Sequence, residues 1–361
     1  MDMKALLKQL VETESPSHDK SAVDRVGALV REEVLKYGAD VKIIPNTTTG
    51  DHVVARWGSG EGGILLLCHM DTVFPLGTLN SMPYREADGK IFGPGVLDMK
   101  AGIVISLAAI EAILNTGLKR PVTLLCTSDE EIGSATSREY IEELAKKSAL
   151  VLVLEAALLD GSLKTWRKGV GAFHVHVKGR AAHSGGDHEK GRNAIEEMAH
   201  QVISIQKMTD YSRQTTLNVG VMNGGTVSNV VPEDAYAEVD VRVMQPGEWE
   251  RLESEMQSLT CVLEGTKLTV TGGLNRPPMP FDETAKVTFE KAKSIAKTIG
   301  VDLTAGGTGG ASDANFVAPL GIPVLDGMGA IGEGYHSERE YIFADSLEQR
   351  KKLLAALIQN W

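Results

Sequence analysis

Residues Ile64–Cys68 read ILLLC and run straight into His69-Met70-Asp71, and this junction of an unbroken apolar run with polar, ligand-type side chains decides the fold. The same order returns twice. Val122–Thr127 (VTLLCT) leads into Ser128-Asp129-Glu130-Glu131, and Leu150–Leu154 (LVLVL) leads into Glu155. None of the three runs alternates with polar residues, as expected of strands buried on both faces. Helical stretches at about 100–116 and 135–147 separate them. Apolar strands alternating with helices predict an α/β domain with a mixed, partly parallel sheet between helices. Strands running parallel would gather the polar residues that follow them at one sheet edge, where open α/β sheets bind ligands.

Upstream, Val23, Val26, Val30, Val34 and Tyr37 recur at helical spacing before Gly38 as a stop, and VKII (41–44) and HVVARW (52–57) read as strands. Downstream the pattern changes near residue 169. GVGAFHVHVKG (169–179) and AYAEVDVRV (235–243) alternate apolar with polar, the mark of a sheet solvated on one face. With helices at about 191–208 and 246–264 and the run KLTVTGG, they predict an inserted α+β domain over 169–279. Residues 1–168 and 280–361 form the other domain, completed by a helix at about 283–299, a Gly-rich segment, a short strand (IPVLDG) and a last helix over Ser346–Gln359. A chain of 361 residues fits two or three domains at about 150 each.

Composition removes several classes of function. The 48 acids against 37 bases leave a net charge of −11, which argues against nucleic-acid and anionic-membrane partners. Three cysteines (Cys68, Cys126, Cys261) make no paired framework and fit no zinc ribbon; Cys68 and Cys126 end apolar runs and read as buried thiols. The opening MDMKALLKQLVETE lacks the basic and apolar regions of a signal peptide, so a reducing cytoplasm is the expected location. The longest apolar stretch, Ala101–Leu114, has 14 residues with Ser106 and Glu111 inside, too short to span a bilayer and consistent with a core helix.

Several carboxylates brought to one edge repel one another unless cations join them. A bound metal resolves this, and carboxylates with histidine point to zinc. His69 and Asp71 lie two apart and share a face of extended backbone, so Asp71 can hold one imidazole nitrogen while the other meets metal. Asp98, in FGPGVLDMKAG, either caps the following helix with Lys100 paired nearby or bridges two cations with its two oxygens. Metal pairs about 3.5–4 Å apart are an established hydrolytic device. The adjacent Glu130 and Glu131 suggest divided labour, one on metal and one on the proton of water.

CHMDTV, GPGVLDMKAG, TSDEEIGS, AHSGG followed by KGRNAI, GGTVSNVVP with DVR, TGGASDANF and GYHSEREY occur in this order. Together they resemble the dinuclear zinc metallopeptidase family of glutamate carboxypeptidase (carboxypeptidase G type), acetylornithine deacetylase, succinyl-diaminopimelate desuccinylase and aminoacylase, over about residues 12–358. The resemblance implies that His69, Asp98 and Glu155 hold one zinc while Asp98, Glu131 and His336 hold the other, with cobalt or manganese as substitutes. It implies that Asp71 orients His69 and that Glu130 is the general base, passing its proton to the leaving amine. His183 would reach the partner subunit's active site and stabilise the oxyanion. Asn229 and Arg242 would line the site or bind the substrate carboxylate, Arg276 would grip the carboxylate of the released amino acid, and Gly309 and Gly310 of TGGASDANF would line the cleft with close-approaching backbone. One departure stands out: Glu155-Ala156-Ala157 replaces the family's frequent Glu-Pro-Thr or Glu-Pro-Ser.

The expected protein is thus a homodimeric two-domain metallohydrolase, with the inserted domain as lid and dimerisation module. It would cleave an amide next to a free carboxylate, releasing a C-terminal amino acid such as glutamate. N-acyl amino-acid deacylation uses the same machinery and is the near alternative. A non-catalytic, metal-dependent dimeric binding protein is the alternative of another class, and the retained Glu130 argues against it. His174 and His176 are expected on a solvated sheet face, His18, His52, His188 and His200 at the surface or as caps, and EWERLESE (248–255) as a solvated helix face.

Overall fold

The run ILLLC forms the middle of a strand, Gly63–His69, in a computed structural model that describes all 361 residues. This strand lies inside a six-stranded sheet, ordered Asp40–Ile44, His52–Trp57, Val122–Thr127, Gly63–His69, Ser148–Val153 and Val324–Leu325. Gly63–His69 runs parallel to both of its neighbours, and Val324–Leu325 runs parallel to Ser148–Val153. The two strands at the other edge are antiparallel, so the sheet is mixed. Ile64, Leu65, Leu66 and Leu67 are all buried although successive side chains face opposite ways. Both faces are therefore covered, which is why the sequence does not alternate here.

Helix Ala101–Thr116 is buried almost all round and packs against the C-terminal helix Ala344–Asn360. Its second residue is glycine for a reason of space: a Cβ on Gly102 would lie 2.3 Å from the Leu154 carbonyl oxygen. The helix start and the end of strand Ser148–Val153 approach there as only glycine allows. Cys68 and Cys126 are in register on adjacent parallel strands, both buried and unpaired, as is the less buried Cys261.

The chain divides into two units, Met1–Trp166 with Phe281–Thr308 and Ser312–Trp361, and Arg167–Pro280 with Gly309–Ala311. The second unit holds an antiparallel sheet ordered Thr216–Gly224, Asp234–Val243, Gly169–Lys178 and Lys267–Arg276. Its inward residues, among them Phe173, Val175, Val239 and Val241, pack with helices Ala194–Gln206 and Glu248–Gln257. Trp249 stacks on Phe173 at 5.1 Å. His174 and His176 face outward as the alternation predicts, but His176 has an acidic partner that strand pairing supplies, Asp234 at 2.9 Å. The acidic run 248–255 differs from expectation at its first residue. Glu248 is buried at the helix start, where Arg213, Arg251 and Thr215 donate to it, and the Arg251 hydrogen bond leads in pulling its pKa down to about 2.

Candidate metal centre

Parallel register fixes which residues meet. His69 ends its strand beside Thr127, so Asp71 and the turn 128–131 emerge together, and Glu155 follows the neighbouring strand on the other side. His69 is buried, with Nε2 3.1 Å from Asp98 Oδ1 and 3.4 Å from Glu155 Oε1. The other oxygen of Asp98 lies 3.1 Å from His336 Nε2, and His336 is 3.3 Å from Glu131 Oε2. Asp98 thus stands between two imidazoles, one oxygen to each. Ligand atoms of His69, Glu130 and Glu155 lie within 4.8 Å of one another, as do those of His69, Asp98 and Glu131. Asp98 does not cap a helix, because Ala101–Thr116 begins beyond it, and Lys100 instead donates to the Thr13 carbonyl.

Asp71 does more than its spacing suggests. His69 Nδ1 is 3.0 Å from the Asp71 backbone carbonyl and 3.5 Å from its carboxylate, so the shorter contact comes from the main chain. The carboxylate accepts instead from the backbone N–H groups of Glu130 and Glu131, both at 3.2 Å, and from Ser17 Oγ at 2.7 Å. It ties the turn carrying the two glutamates to the strand carrying His69.

His52 contradicts the surface assignment. It is wholly buried, with Nδ1 3.0 Å from Ser128 Oγ and Nε2 3.2 Å from Thr136 Oγ1. Thr136 in turn donates to Asp129 through its hydroxyl and its N–H. Burial, the largest effect, lowers the His52 pKa and favours the neutral ring. In sequence this histidine opens a strand and looks like any loop-edge polar residue; only the neighbouring strand end, Ser128 onward, gives it partners.

The electrostatics show what the cluster is short of. Hydrogen bonds to Asp98 and then Glu131 push His336 up to about 10. Burial opposes charge on His69, yet hydrogen bonds to Asp71, Asp98 and Glu155 outweigh it and raise its pKa well above the ordinary value. Burial would raise Asp98, but the same imidazoles hold it below the usual carboxylate range. Burial and Asp98 together push Glu131 up to about 7. Glu131 Oε1 is buried without a hydrogen-bond partner. Crowded carboxylates drawing protons onto imidazoles are a set that divalent cations satisfy, and nitrogen and oxygen donors suit zinc-like ions.

The remaining expected site residues lie in the second unit. His183 is exposed, and its Nδ1 accepts from Gly185 N–H at 3.1 Å and Gly186 N–H at 3.0 Å. The neutral ring's proton is therefore on Nε2. Val230, next to the exposed Asn229, bridges to His183, and the Asn229 carbonyl accepts from Ser184 N–H. Arg242 is gripped at two points by Asp240 on its own strand face, at 2.8 and 2.9 Å. Arg276 is buried at the end of its strand and donates to Asn275. The Gly310 carbonyl accepts from Arg167. A Cβ on Gly309 would meet nothing within 4 Å, whereas one on Gly307, just before this motif, would sit 2.2 Å from the Trp166 ring.

The model of peptidase family M20/M25/M40 matches residues 65–360. The chain belongs to that family. It is 31% identical to carboxypeptidase G2 of Pseudomonas sp. (strain RS-16) over 369 residues, covering 98% of this chain and 88% of that protein. The M20 metallo-carboxypeptidase Sso-CP2 of Sulfolobus solfataricus shares the fold at a TM-score of 0.80 with 18% identity, over 99% of both chains. The aminopeptidase PepT of Bacillus cereus does so at 0.79 with 22% identity, over 99% of this chain and 97% of its own. The Bacillus subtilis YXEP protein, described as a dinuclear metal-binding M20 peptidase, superposes at 0.72 with 17% identity, over 99% and 96%. This M20 family member is a metallopeptidase-type hydrolase with a candidate metal site, and no helix is long and apolar enough to cross a membrane.

Proposed function

We propose that the protein is a dinuclear zinc carboxypeptidase that releases a C-terminal amino acid such as glutamate from an amide. The observation that carries this is Asp98, whose two oxygens face His69 and His336 beside the adjacent Glu130 and Glu131. His69, Asp98 and Glu155 would hold one zinc, and Asp98, Glu131 and His336 the other. Zinc held by these residues would supply Lewis-acid polarisation of the scissile carbonyl and would bring the pKa of water toward about 7.

Glu130 takes the proton from the attacking water and hands it to the leaving amine nitrogen. Asp71 keeps Glu130 in place through its N–H and aims the His69 ring. His183, with its proton on Nε2, donates to the developing oxyanion. Arg276 grips the free carboxylate of the departing amino acid, with Asn229, Arg242, Gly309 and Gly310 lining the site. Residues 169–279 serve as lid and as the surface joining two copies of the chain. The likeness to carboxypeptidase G2 supports the carboxypeptidase direction, and unpaired cysteines support a cytoplasmic location.

Glu130→Gln tests the assignment. Assayed on peptides and N-acyl amino acids ending in glutamate, it is expected to keep two zincs per chain and lose at least about 100-fold in kcat. Metal content by mass spectrometry and turnover are the measurements; near-normal turnover removes Glu130 as the base. Deacylation of small N-acyl groups in preference to peptides would select the alternative activity.

A further inference from the structure

Glu340 is the one acid of GYHSEREY that is completely buried, and the proposed reaction gives it no part. Its partners are main chain. Oε2 accepts from Gly95 N–H at 3.0 Å, and Oε1 accepts from Leu97 N–H at 2.7 Å and Asp98 N–H at 3.0 Å. These donors belong to a turn that cannot satisfy itself. Gly95 is left-handed at φ +71°, Asp98 and Met99 have non-helical backbone, and the regular helix starts only at Ala101. Converging N–H groups of this kind form a nest for oxygen acceptors, and here the acceptor is a carboxyl side chain from over 240 residues away.

The placement has a consequence for Asp98. A few residues before Glu340 in the same segment, His336 sets its Nε2 3.1 Å from Asp98 Oδ2. One short segment therefore holds both the backbone N–H and a side-chain oxygen of the same aspartate. His69, at the end of its strand, meets the other oxygen at 3.1 Å. A carboxylate that serves two neighbours must keep its plane fixed, and rotation of its peptide unit would break both contacts.

We propose that Glu340 is a positioning residue of the metal centre, clamping the backbone of residues 95–98 so that Asp98 presents one oxygen to each side; this rests on the metallohydrolase reading above. Glu340 touches neither substrate nor metal in this role. It acts through the turn.

The test is zinc titration of metal-stripped protein by calorimetry, with cobalt spectra as a second readout. Wild type is expected to take up two zincs per chain. Glu340→Gln puts an amide donor among backbone donors, and is expected to weaken zinc binding about 10- to 100-fold and to change the cobalt visible bands. Glu340→Asp keeps a carboxyl acceptor and should recover part of the affinity, while Glu338→Gln, at an exposed site two residues away, should match wild type. Zinc affinity and cobalt bands unchanged in Glu340→Gln overturn the positioning role alone. A wild-type chain that takes up no zinc overturns the metal reading and this role with it. Should the Glu340 variants fail to fold, hydrogen exchange on metal-stripped wild type decides the matter. Slow exchange at Gly95, Leu97 and Asp98 supports a turn held by Glu340 before metal arrives, and rapid exchange there rejects it.

Discussion

His336 stands half exposed, with Asp98 and Glu131 both within 3.3 Å of its Nε2, and titrates near 10 in the metal-free protein because those carboxylates stabilise the imidazolium. Its raised pKa stabilises the metal-free fold fully below the unfolded value of about 6.5 and loses that contribution as pH rises toward 10. Melting of metal-stripped protein should therefore fall between pH 6.5 and 10, and His336→Asn should flatten part of that decline; equal slopes in both proteins would reject the coupling. Metal needs the neutral ring, so zinc affinity should rise with pH and binding should release protons, measurable by calorimetry in buffers of different ionisation heat. At this scale the sequence is informative about residue types and silent about partners. The pair His69-x-Asp71 announces an oriented histidine, yet the Asp71 carboxylate mainly holds the N–H groups of Glu130 and Glu131, about 60 residues away. His52 gives no signal at all, since its burial depends on the strand end beside it.

Strands and helices place these side chains, and their legibility follows from how they are buried. Three apolar runs without alternation betray parallel strands covered on both faces, and the residues just after them meet at one edge because parallel register leaves them level. Helix Ala101–Thr116 can be read from its apolar length, but its close approach to the end of strand Ser148–Val153 cannot. Gly102 permits that approach, with the Leu154 carbonyl 2.3 Å from where a Cβ would stand. Because that contact is rigid main chain, Gly102→Ala should force the helix start away from Leu154 and destabilise the protein by about 1–3 kcal/mol. The shift reaches Glu155, so zinc affinity should drop as well. Denaturant unfolding and zinc titration check both, and a variant as stable and as tight as wild type would show that the helix start can move freely. EWERLESE marks the opposite failure: its charges suggest a solvated face, while Arg213 and Thr215 from another segment bury Glu248.

At the scale of the whole molecule, the candidate metal ligands all belong to one unit and His183 to the other. If His183 serves the active site of a second copy, His183→Ala should lower kcat while leaving metal content unchanged. Mixing and reassembling it with Glu130→Gln should then restore activity, because some mixed dimers carry one intact site. A mixture as inactive as its parents would place His183 in its own chain's site or outside catalysis. The amino-acid sequence by itself determined the α/β class, the change to one-faced strands near residue 169, and the order of the acids and histidines, because periodicity and residue type are local consequences of which faces meet water. Only the tertiary structure decided which oxygen of Asp98 faces which imidazole, that His52 is internal, and that Glu340 holds the turn at 95–98. Those contacts join residues far apart in the chain through directional hydrogen bonds, and no local pattern records where a distant donor will point.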